Sequence, residues 1–135
     1  MNKPVLLSLV LCAGCATAED VANVYQRQRP PTAEERARVL ADIRVVLFDP
    51  YSVRDAAISN MLFPKEVMAA SPNAKAICLR LNARNRFGAY VGLEHQMLKY
   101  SAAGALLAID DTEIAKAQCA DTRLGYSPFT ELENL

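Results

Sequence analysis

Three arginines crowd one short run of the chain, Arg80, Arg84 and Arg86 in LRLNARNRF. Guanidinium groups gathered on one face hold carboxylate, phosphate or sulfated sugar through paired N–H donors. Strict strand alternation from Arg80 puts Asn82, Arg84 and Arg86 on the same side. Tyr90 follows between Gly88 and Gly92, and glycines beside an aromatic let another backbone come close. Asn85 lies in the turn between them. We take Arg80, Asn82, Arg84, Asn85, Arg86 and Tyr90 as the candidate binding face. The competing reading is an outer sheet face kept soluble by arginine, with Glu94, Glu66 or Asp55 to neutralise it.

Other residues with chemical potential fit poorer patterns. His95 is the one histidine. In strand register it shares a side with Val91, Leu93 and Met97, a setting more typical of a core or rim histidine than of a catalyst. Catalysis needs a nucleophile and an orienting carboxylate beside it; Ser101 and Asp110 are reached only by elimination. A small periplasmic hydrolase is the least favoured reading, and no catalytic residue is assigned. Cys78, His95 and Cys119 have no zinc-site spacing. Asp110–Asp111 lacks the spacing of a calcium loop and reads as a charge pair at a helix start. The chain has no glycine-rich phosphate loop, metalloprotease helix or nucleophile elbow. No cofactor and no metal are expected. Acids and bases balance at 15 each, so no global field steers the protein to nucleic acid.

The N-terminus reads as an export signal. Lys3 precedes an apolar run, Val5 to Leu11, too short for a bilayer span of about 20 residues. Two processing sites compete. Cys12-Ala13-Gly14-Cys15 resembles a bacterial lipobox with Cys15 acylated, although Cys12 stands where such signals usually carry Leu. Ala16-Thr17-Ala18 is an A-x-A site that would release the chain at Glu19. We favour the lipobox. Ala16 rather than Asp after Cys15 resembles lipoproteins sorted to the outer membrane. Export leaves Cys78 and Cys119 as an even pair in an oxidising compartment, so a disulfide is expected between them.

The elements that must position the arginine run follow from periodicity and turn chemistry. Residues 15–31 read as a polar tether after the signal of 1–14, stiffened by Pro30-Pro31. Thr32-Ala33-Glu34-Glu35 is a capping box. Val39, Leu40, Ile43, Val46 and Leu47 then recur at helical spacing, predicting a helix over 32–47 that Pro50 ends. The run 53–62 is open between helix and strand. Ile77, Leu79, Leu81 and Ala83 alternate with polar neighbours, which predicts a half-buried strand. Asn85-Arg86-Phe87-Gly88 turns the chain into a second strand over 89–100, and Ala105 to Ile109 makes a third. Thr112 to Ala120 is a short helix carrying Cys119. Residues 126–135 read as an irregular tail after a domain of 32–125.

Asp49-Pro50-Tyr51-Ser52-Val53-Arg54 and the stretch from Cys78 to Gly92, CLRLNARNRFGAYVG, together resemble a widespread set of small exported bacterial domains. These pair a DP-x-S-(A/V) segment with C-x-x-x-N-x-(K/R)-N-x-(F/Y)-G-(G/A)-Y-x-G. The resemblance covers roughly Val39 to Leu93, with Ala89 in place of the commoner Gly. It implies a strand after DP-x-S, here Arg54 to Ser59, and a structural role for Cys78. It carries no established activity.

The expected fold is α+β: one amphipathic N-terminal helix packed on an antiparallel meander of three or four strands, with a short C-terminal helical turn. The expected function is a non-enzymatic envelope lipoprotein domain, membrane-bound through Cys15, that faces the periplasm and binds a protein or peptidoglycan partner. The alternatives are a soluble periplasmic form and an accessory or inhibitor-like subunit whose C-terminal tail makes the contacts.

Overall fold

The computed structural model describes residues 18–64 and 73–135. The signal segment, Cys15, Glu66 and most of the proline-containing loop after Phe63 lie outside the described residues.

The chain is α+β, built on a five-stranded antiparallel sheet. Its centre is β2 (Lys75–Asn82), the stretch with the clearest alternation. β2 pairs with β1 (Arg54–Ser59) on one side and β3 (Glu94–Tyr100) on the other. β4 (Leu106–Asp110) extends the sheet beyond β3. β1 to β4 thus form the expected meander. A fifth strand, β5 (Tyr126–Pro128), pairs with the outer edge of β1. It comes from the segment expected to be an irregular tail. The next residues form α4 (Thr130–Glu133), and Phe129 and Leu132 are fully buried. The domain therefore runs to the C-terminal residues rather than ending at 125. A run this short shows no periodicity from which its burial can be read.

Both sheet faces carry apolar clusters. Ile77, Leu79 and Leu81 of β2 join Ile58, Leu98, Tyr100, Phe129 and Leu132, together with Val39 and Ile43 of α2 (Ala33–Arg44). On the opposite face Ala76 and Cys78 join Met97, Ala115, Cys119 and Leu124, with Val24 and Tyr25 of α1 (Ala18–Gln26). The segment expected as a tether is thus helical from Ala18 and packed against the body. Arg29 then exchanges two backbone hydrogen bonds with Met61, at 3.3 and 2.7 Å. The polar run Gln26 to Arg29 disguises it, but Gln28 is itself used: its Oε1 accepts from the Gly125 amide and from Asn60.

α2 has the expected capping box. The Glu35 amide donates to Thr32 Oγ1, and the Thr32 amide donates to Glu35 Oε2. The helix stops at Arg44 rather than Leu47, so Val46 is exposed instead of lining its apolar face. α3 (Glu113–Cys119) starts at Thr112, whose side chain accepts from the Ala115 amide. It delivers Cys119 to Cys78, and the two form the expected disulfide, Cα to Cα 5.6 Å.

The second strand differs most from expectation. It begins at Glu94, not Ala89, because Gly88 and Gly92 take left-handed conformations, φ +75° and +101°, that interrupt the pleat. Val91 and Leu93 fall in this interval and are 54% and 56% exposed. Leu98 and Tyr100 face the larger core instead. Met97 and His95 oppose Cys78 and Arg80 on the other side of the sheet.

Candidate functional site

The arginine run does not form one continuous face, because β2 ends at Asn82 and only an isolated bridge, Arg84 to Tyr90, follows. Arg80 stays on the strand. Its guanidinium lies 5.3 Å from the Tyr126 ring centre, over β5. Its Nε is buried with no hydrogen-bond partner among the described residues. The His95 ring meets Tyr126 edge-on at 6.4 Å. Burial, and secondarily the charge of Arg80, lower the pKa of His95, which favours neutral imidazole. Burial also raises the Tyr126 hydroxyl pKa, and that hydroxyl donates to the Cys119 carbonyl. This group ties the disulfide helix to the sheet edge.

Arg84 and Tyr90 belong to a second constellation at the hairpin base. The Tyr90 hydroxyl donates to the Ser52 carbonyl at 2.8 Å. The Arg84 amide donates to Ser52 Oγ at 2.9 Å. The Arg84 guanidinium sits 5.4 Å from the Tyr90 ring centre, and that of Arg54 sits 3.4 Å from it. The ring thus holds two cations, an arrangement that offsets their mutual repulsion through the aromatic quadrupole. Among the described residues neither arginine forms an ion pair. Asn82 Oδ1 accepts from the Gly92 amide at 3.2 Å, fixing the segment that carries Tyr90. Asn85 Oδ1 accepts from the Phe87 and Ala89 amides, so Asn85 shapes the turn. Arg86 is exposed on that turn.

Of the predicted face, then, Asn82, Arg84 and Tyr90 come together, Arg80 stands apart, and Asn85 and Arg86 belong to the tip. The alternation rule missed Ser52 and Arg54. Arg54 reaches Tyr90 through an irregularity in β1: the register with β2 shifts between Arg54 and Ala57, and Asp55 takes φ +56°. Bulges of this kind re-aim side chains. The visible trace of Arg54 was its place directly after the DP-x-S segment.

A pocket of about 170 Å³ lies at the opposite end of the sheet, between the start of α2 and the 101–104 turn. Its charge is already matched. Arg29 donates to both Glu35 carboxylate oxygens at 2.8 Å and Lys75 lies 3.6 Å away. Arg38 donates to the Gly104 carbonyl at 2.7 Å. A Cβ on Gly104 would come within 2.6 Å of Arg38 Nη1, so glycine is required for that contact. Among the described residues no three His, Cys, Asp or Glu side chains gather as a metal site, and no helix is long and apolar enough to cross a membrane.

No protein family, curated protein or solved structure matches the chain. The Arg54–Tyr90–Arg84 constellation, with the exposed hairpin tip beside it, can recognise an anion next to an apolar group. It presents no general base poised on a nucleophile.

Proposed function

We propose that the protein is a non-enzymatic domain of the bacterial envelope, exported and acylated at Cys15, that binds a protein or cell-wall partner through its hairpin end. In this reading α2 covers one face of the sheet as its amphipathic roof, with Val39 and Ile43 pointing inward, and the disulfide secures the other face. The observation that carries it is the pair of guanidiniums held on the Tyr90 ring without a carboxylate partner among the described residues. Two preorganised guanidiniums are suited to bidentate anion recognition, and tyrosine and arginine are enriched among the anchors of protein interfaces. The apolar run 5–11, the cysteine after it and the Cys78–Cys119 bridge support export. In the accessory-subunit alternative a free tail makes the contacts, and here Phe129 and Leu132 are already committed to the core.

The test is recovery of partners from envelope extract with wild-type protein and with Arg54→Ala/Arg84→Ala. Loss of a specific partner is expected; equal recovery would discard the surface. Mass spectrometry of the mature N-terminus addresses the anchor. A diacylglyceryl adduct on Cys15 is expected, and an unmodified start at Glu19 would refute acylation.

A further inference from the structure

The hairpin end carries more than its arginines. In an antiparallel sheet the start of β1, the end of β2 and the start of β3 lie at one end. Phe48 and Tyr51 immediately precede β1, Phe87 lies in the turn after β2, and Val91 and Leu93 precede β3; all five are exposed. Phe87, at the turn, is 92% exposed. The contacts of Ser52 with Tyr90 and Arg84 join the loops, so these side chains rim one end of the sheet. Exposed apolar groups clustered this way mark an interaction site rather than chance.

The rim carries a small excess of positive charge. Arg44, Arg54, Arg84 and Arg86 are exposed at this end and form no ion pair among the described residues. Asp49, Asp55 and Glu94 share the end, so four arginines stand against three carboxylates. An exposed aromatic at a turn, with guanidiniums on the neighbouring Tyr90 ring, matches the interface of an anionic bilayer. There apolar rings sit among the acyl chains and arginines meet the phosphates. A folded protein partner would instead need a concavity shaped to receive Phe87.

We propose that the hairpin end docks on an anionic phospholipid surface, with Phe87, Val91 and Leu93 inserted at the interface and Arg54 and Arg84 on headgroup phosphates. This rests on the reading of the hairpin end as the binding surface and assigns that surface a lipid in place of a protein or cell-wall partner.

The chain contains no Trp, so Phe87→Trp in the full chain places a single indole at the tip. Its emission is expected to shift to the blue, and to be quenched by brominated acyl chains, on vesicles of phosphatidylglycerol and phosphatidylethanolamine in equal parts. Phosphatidylcholine vesicles should leave it unchanged. Adding Arg54→Gln/Arg84→Gln should weaken the response at least tenfold with the melting temperature unaltered. An indole that does not respond to anionic vesicles overturns the proposal. So does an equal response on phosphatidylcholine, or one that survives loss of both guanidiniums. Saturation by inorganic phosphate without lipid would assign the arginines to a soluble anion and likewise overturn it. Loss of a protein partner in the Arg54→Ala/Arg84→Ala recovery, with no vesicle response, would leave the broader function standing and remove the lipid.

Discussion

Glu35 shows how much one carboxylate can be asked to do. It closes the capping box of α2, accepts both N–H groups of Arg29 and lies beside Lys75. The hydrogen bond from Arg29 is the main reason its pKa falls to about 2. A depressed carboxylate stabilises the fold fully above its unfolded value of 4.5 and loses that contribution as pH falls towards about 2. Glu35→Gln keeps the shape and removes the charge. Because Arg29 is partly exposed, solvent screening limits the expected cost at neutral pH to about 1 kcal/mol. The difference from wild type should shrink near about pH 3, inside the window where the wild-type carboxylate itself becomes protonated. Urea titrations at the two pH values check both statements. The capping function of Glu35 was legible from Thr32-x-x-Glu35 alone. Its ion pairs were not, since Lys75 is far away in sequence and Arg29 precedes the helix in a run that reads as linker.

Among the elements, α3 is tied to β2 by a disulfide. Cys78 and Cys119 are wholly buried and 41 residues apart. Replacing both by Ala should cost about 4 kcal/mol from loop closure in the chain-entropy model. The expected result is a lower denaturant midpoint for the Cys78→Ala/Cys119→Ala protein, compared with wild type under non-reducing conditions; an unchanged midpoint would mean that packing alone holds α3. The pairing could be read from cysteine count and compartment. The β2 alternation was equally clear, because eight regular residues with apolar groups on every second position leave no other register. The partner strand was not, and the reason lies in two residues. Gly88 and Gly92 adopt positive φ, and each such residue breaks the two-residue rhythm from which a face is counted. Val91 and Leu93, in the interval before Glu94, therefore do not line the apolar face expected of them.

At the scale of the whole molecule, both ends of the described chain are part of the structure. Phe129 is fully buried beside Ile58 and Leu98, and Arg36 covers its ring at 5.1 Å. Phe129→Ala should therefore destabilise by about 3–5 kcal/mol, a large share of the 5–15 kcal/mol typical of a small domain. Thermal unfolding measures it, and a loss under about 1 kcal/mol would return the segment to the status of a tail. Val24, Tyr25, Phe129 and Leu132 eluded the sequence for a common reason. They make two apolar pairs, each in a short polar stretch, and their burial depends on the central sheet, to which nothing local points. The position of α1 has a mechanical consequence. If Cys15 carries lipid, only two residues separate it from Ala18, the first residue of a packed helix, a reach of at most about 10 Å. Such a leash confines the domain to a thin layer over the bilayer, where encounters become two-dimensional and its effective concentration towards anything at that surface is high. Lengthening the leash, rather than altering any contact, would then be enough to weaken its action.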